Sequence, residues 1–187
     1  MDDDEIIGIV FLVFLAGHDT TTQLIAHALK HLDTDRPWQA KLRAEPALIP
    51  QAIEEFIRFD SPVSMLARTT TRDVDIGGSV IPAGSRVLMM YGSANRDEAR
   101  FENAAELDLN RPVKRHLAFG EGIHHCIGAP LARLEARIAL EEFLRAVLSY
   151  EFVAPPEVHH FTGLRGMTSL PVRVHTGQVA VGNVART

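Results

Sequence analysis

Apolar residues fill most positions from Ile6 to Leu15, and the pattern resumes in Leu24-Ile25-Ala26-His27-Ala28-Leu29. This predicts one long helix reaching about His31. Asp2, Asp3, Asp4 and Glu5 suit its first turn, where negative side chains favour the exposed N–H groups. The first half is apolar nearly all round, so it is expected to be buried. Gly17-His18-Asp19-Thr20-Thr21-Thr22 interrupts the pattern. Glycine inside a helix costs ~1 kcal/mol relative to alanine, and threonine hydroxyls that bond back to the preceding turn bend the helix. A helix end with an aspartate cap is the competing reading of that segment.

A second helix is expected from Pro37 to just before Glu45-Pro46, and a third from Pro50 to Phe59, each opened by proline in its first turn. Glu55 and Arg58 share one face of the third, a spacing that ordinarily gives a surface pair worth ~0.2–0.5 kcal/mol. Between Val63 and Tyr91 short strands alternate with turn signals at Gly77-Gly78 and Pro82-Ala83-Gly84, which predicts a small antiparallel sheet. Residues 92–128 read as irregular, and Pro130 to Val147 as an amphipathic helix. Strand-like pieces around Tyr150–Val153 and Leu170–His175, with a turn at Thr162-Gly163-Leu164-Arg165-Gly166, close the chain. The fold class is mainly α with small antiparallel β-sheets, in one continuous piece.

Composition narrows the function. The 187 residues are 46% hydrophobic and 23% charged, with a formal net charge of -5. That balance argues against a nucleic-acid partner, which needs a basic field. One cysteine excludes a disulfide within the chain. The run from Ile6 to Gly17 is short for a membrane span, and the acids before it have the wrong sign for a secretory signal. A cytoplasmic protein with no membrane partner is expected.

That cysteine lies in Phe119-Gly120-Glu121-Gly122-Ile123-His124-His125-Cys126-Ile127-Gly128, just before the helix at Pro130. Glycines let the backbone fold tightly and approach a flat cofactor, and the helix start aims positive dipole and spare N–H groups at the sulfur. A metal-bound thiolate suits this setting. An inert buried cysteine is the commoner fate of a lone thiol. Zinc would require four ligands, and a redox sensor would usually keep a second cysteine.

With the aromatic residue seven positions before the cysteine, the glycines around it and Leu131-Ala132-Arg133 beyond, the segment resembles the cysteine-haem loop of the cytochrome P450 family. Ala16-Gly17-His18-Asp19-Thr20 resembles that family's distal-helix motif, and Glu54-Glu55-Phe56-Ile57-Arg58 its Glu-x-x-Arg helix. The motifs occur in the family's order, and the chain corresponds to the C-terminal half of the fold, from the distal helix onward.

The resemblance implies haem b, with Cys126 as the axial iron ligand and Phe119, Gly120 and Gly128 shaping the loop. It implies a groove over the haem at Ala16 and Gly17, with Asp19 and Thr20 guiding protons to dioxygen. Arg68 and His124 would hold the propionates, while Glu55, Arg58 and Arg111 would form a buried structural lock. The implied activity is monooxygenation of a small organic substrate, with electrons from a ferredoxin or flavodoxin-type donor and NAD(P)H acting only indirectly. A peroxide-using peroxygenase and a non-catalytic remnant are the alternatives. Arg111, Lys114, Arg115, Arg133 and Arg137 outnumber Glu121 and Glu135 near the cysteine, which suggests a positive docking face.

Overall fold

The computed structural model describes residues 1–159 and 163–176. Helix α1 (Asp3–Thr34) is opened by a capping box, in which Asp2 accepts from the Glu5 N–H at 2.8 Å and Glu5 accepts from the Asp2 N–H at 3.1 Å. It passes through Gly17 unbroken. The Thr20 and Thr22 hydroxyls donate back to the Ala16 and His18 carbonyls at 2.7 and 2.8 Å, so the reading of a helix end there does not stand. Asp35 then caps α2 (Arg36–Ala44) by accepting from the Trp38 N–H, and α3 (Ile49–Phe59) starts with Pro50 in its first turn.

Four short strands follow: β1 (Leu66–Thr69), β2 (Val74–Ile76), β3 (Ser79–Ile81) and β4 (Arg86–Met89). They form two separate antiparallel pairs, β1 with β4 and β2 with β3, where the turn signals alone suggested a single sheet. A short α4 (Tyr91–Ala94) leads into the irregular segment, and α5 (Ala129–Ala146) follows the cysteine loop. At the end β5 (Ser149–Phe152) pairs with β8 (Val172–His175), and β6 (Glu157–His159) pairs with β7 (Gly166–Ser169). The second of these pairs was not apparent from the sequence. Of the expected turn, Thr162 lies outside the described residues, as do positions 177–187 of the C-terminal region.

The core is helical. Leu24, Ala28 and Leu32 of α1 meet Leu42 of α2, Ile53 and Phe56 of α3, and Leu140 and Leu144 of α5, each at most 2% exposed. The other half of α1 departs from expectation, because the large apolar side chains from Ile6 to Leu15 are 43–70% exposed. Nothing among the described residues covers them. An unbroken α1 also carries a longer apolar stretch than the sequence reading allowed. By length and composition alone Asp3–Asp33 holds a stretch apolar enough to cross a membrane, since its most apolar 18-residue window has a mean hydropathy of 1.4.

Candidate functional site

A cavity of about 310 Å³ opens between α1, the segment leading into β1, and the cysteine loop. Ala16, Gly17 and Thr20 line one wall and Cys126 with Phe119 another, while Arg68 and His124 also border it. Most of the expected site residues therefore converge on one space. Asp19 does not line that space, and its carboxylate makes no hydrogen bond or ion pair among the described residues. Thr21 and Leu24 extend the α1 wall; they follow Gly17 and Thr20 at helical spacing, so the period alone could have found them. Pro62, Val63 and Leu66 add an apolar side that no local motif announces.

The loop geometry follows from its glycines. Gly120 and Gly122 have φ of 70° and 63°, which a side chain would strain. The Gly120 N–H donates to the Leu117 carbonyl at 2.9 Å, and the Cys126 N–H donates to the Phe119 carbonyl at 2.8 Å. These bonds fold the loop so that the thiol is exposed beside the start of α5. A side chain on Gly128 would begin 3.8 Å from the sulfur. Across the cavity, nothing lies within 4 Å of where a side chain on Gly17 would begin, so the groove in α1 is open.

A Lewis-acidic metal in a flat, largely apolar macrocycle fits this donor set. One soft sulfur ligand stands against a helix start, and the facing helix is pared to Ala16 and Gly17. Arg68 suits the macrocycle's carboxylates, since the one hydrogen bond of its guanidinium among the described residues goes to the Ala67 carbonyl and it makes no ion pair there. No three acidic, histidine or cysteine side chains among the described residues cluster to hold a bare metal ion.

Behind the loop sits a buried lock. Arg58 donates to both Glu55 oxygens at 2.7 Å, and to the carbonyls of Asn95, Ala104 and Glu106 at 2.7, 3.0 and 3.0 Å. Arg111 joins the same Glu55 at 3.1 Å. The Glu55–Arg58 pair is thus interior, the reverse of what spacing on a helix surface suggests.

The cations near the cysteine are less free than their number suggests. Arg133 forms a two-pronged pair with Glu54 and lies 4.4 Å from the centre of the Phe119 ring. Burial works to raise the Glu54 carboxyl, but hydrogen bonds from His116 and Arg133, with their charges, pull it down to about 2. Arg115 pairs with Glu121, and Arg137 with Glu141. At the end of α3, Asp60 gathers Lys30, His31 and Arg165 at 3.1, 3.2 and 3.4 Å. Its burial is likewise outweighed, by the His31 hydrogen bond and the surrounding positive charges, and its carboxyl falls below the ordinary range.

Comparison with known proteins decides what this arrangement belongs to. The sequence profile described as Cytochrome P450 matches residues 1–169. The chain belongs to the cytochrome P450 family. It is 40% identical over 174 residues to putative cytochrome P450 YjiB of Bacillus subtilis, covering 93% of this chain and 44% of that protein. To the cytochrome P450 monooxygenase PikC of Streptomyces venezuelae it is 40% identical over 184 residues, covering 96% and 44%. Among solved structures, substrate-free CYP109E1 of Bacillus megaterium superposes with a TM-score of 0.90 at 36% identity, covering 95% of this chain and 46% of that one. The chain spans less than half the length of these P450s, and its helices and small antiparallel sheets are the C-terminal part of their fold.

Proposed function

We propose that these residues form the thiolate half of a haem monooxygenase that inserts one atom of dioxygen into a small organic substrate in the cytoplasm. The observation that carries this is the cavity itself, where Cys126 beside the α5 start faces the Ala16-Gly17-Thr20 groove of α1. Haem b, when bound, would supply the activation of dioxygen. Cys126 would hold it by its iron, and Arg68 and His124 by its carboxylates. Phe119 and Ala118 would close off the thiolate side from water. The Thr20 hydroxyl already donates to the Ala16 carbonyl at 2.7 Å, so its lone pairs remain to orient a proton donor in the groove. Asp19, one residue outside the cavity wall, would pass protons to Thr20 from the solvent side.

Electrons would come from a ferredoxin or flavodoxin-type protein, and from NAD(P)H only through it. Lys114 is the best docking cation of the group near the cysteine, since it is exposed and makes no ion pair among the described residues. Arg133, by contrast, is committed to Glu54. The bare apolar length of α1 favours a second statement, that this chain alone is inactive and acts only when completed by the rest of the domain.

The test uses the chain fused to the N-terminal part of a relative and loaded with haem. The reduced carbonyl complex is expected to show the red-shifted band of thiolate ligation, and Cys126→His to move it to the histidine position. A band that does not respond to that change, or no haem uptake by the fused protein, overturns the assignment.

A further inference from the structure

We propose that Asn95 is the positioning residue of the cysteine loop, acting as a buried three-way joint that sets the loop against the pocket wall. Asn95 is fully buried, at 0% exposure, and ends α4. Its three polar atoms beyond the backbone N–H each serve a different segment. The carbonyl accepts from Arg58 of the buried lock at 2.7 Å. The side-chain N–H donates to the Ser61 hydroxyl at 3.0 Å, where α3 gives way to Pro62 and Val63 of the cavity wall. The side-chain oxygen accepts from the Leu117 N–H at 2.6 Å.

Leu117 is where the loop begins to turn. Its carbonyl accepts from Gly120, and the Phe119 carbonyl inside that turn accepts from Cys126. A displacement of Leu117 therefore passes through two hydrogen bonds to the sulfur-bearing residue. Ser61 holds the other end of the amide firmly, because its hydroxyl donates in turn to the Ile57 carbonyl at 2.8 Å. The amide consequently has one orientation that satisfies all its partners: oxygen toward Leu117 and nitrogen toward Ser61. Aspartate would lack the donor, and leucine would leave the half-buried Leu117 N–H without its acceptor while the Ser61 hydroxyl kept only its bond to the Ile57 carbonyl.

This role rests on the haem-thiolate reading of the loop, yet the geometry can be tested without haem. Backbone amide exchange is followed residue by residue in the chain and in Asn95→Ala, Ser61→Ala and the double variant. Asn95→Ala is expected to speed exchange of the Leu117 and Cys126 amides by about tenfold or more, while Leu140 in the helical core keeps its protection. Ser61→Ala, which leaves the Leu117 bond itself intact, is expected to speed the same two amides by a few fold through loss of amide orientation. In the Asn95→Ala background it should add nothing there. If Asn95→Ala prevents folding, the milder Ser61→Ala decides alone. Unchanged Leu117 exchange in Ser61→Ala, or equal acceleration at Leu140, overturns the proposal. A failed thiolate assignment with this exchange pattern intact would leave the joint standing and remove only its link to haem.

Discussion

Glu54→Gln removes a charge that ties α3 to α5 and to the irregular segment. The Glu54 side chain is 17% exposed, between His116 at 4% and Arg133 at 39%. Its carboxyl lies at about 2 in place of 4.5. A depression of that size corresponds to roughly 3 kcal/mol of folding free energy at neutral pH. Arg133 is more than a third open to water, so screening reduces the net figure to about 1–2 kcal/mol. The folded-state value is depressed, so this stability is full above the unfolded value and fades as pH falls toward the folded one. The gap in unfolding free energy between parent and Glu54→Gln should therefore fall, between about pH 6 and pH 3, to below half its size. Urea unfolding at several pH values measures it, and the acid response of Asp60 cancels because both proteins share it. A gap of equal size at pH 7 and pH 3 would refute the reasoning, since lost packing does not titrate.

Thr20→Ala, in the haem-loaded fusion, is expected to keep haem content and reductant use near the parent's while diverting much of that reductant to hydrogen peroxide. Unaltered product per reductant would assign the hydroxyl to its helix bond alone. Gly163→Ala probes the turn that braces the cavity wall: Gly163 has φ of 93°, and an added side chain would begin 2.8 Å from the Met65 carbonyl oxygen. Its Gly163 carbonyl accepts from the Ser64 N–H at 2.8 Å, so the turn cannot simply retreat. A loss of about 1–3 kcal/mol is expected in urea unfolding, and a loss below about 0.5 kcal/mol would mean the two segments are not held together as described.

Local chemistry made the helices legible. The acids at 2–5 and the prolines at 37 and 50 act within one turn of where they stand, so their effect is written next to them in sequence, and the Asp35 cap is of the same local kind. On α1 the cavity residues Ala16, Gly17 and Thr20 were legible through the resemblance of Ala16-Gly17-His18-Asp19-Thr20 to the family's distal-helix motif. The cysteine loop was legible through its glycines. What escaped depends on partners far along the chain. The split of residues 63–91 into two ribbons depends on which strand meets which. The β6–β7 pair joins segments whose individual strands are only three and four residues long. Asn95 joins residues 34 positions before it and 22 after it, which no spacing rule reports. The positive face inferred from counting Arg and Lys near Cys126 shrank because Arg115, Arg133 and Arg137 each have a carboxylate partner.

The two halves of α1 carry the same lesson in reverse. From Leu24 onward its apolar side chains are buried against α2, α3 and α5, while from Ile6 to Leu15 equally apolar ones face outward. The pattern alone cannot distinguish a span in lipid from a helix inside a larger protein. The polar run from His18 to Thr22 and the burial that follows it can. A helix whose one end is sealed in a protein core, and whose middle opens a groove at Gly17 toward Cys126, has its axis fixed by that core. Its bare end, Asp3 to His18, then projects about 24 Å at 1.5 Å per residue, with apolar side chains on every side from Ile6 to Leu15. A lipid span would leave the cavity and its charged neighbour Arg68 pressed at the membrane face. A covering layer of protein needs no such arrangement and buries all sides of the rod at once, which suits a chain spanning less than half of its relatives.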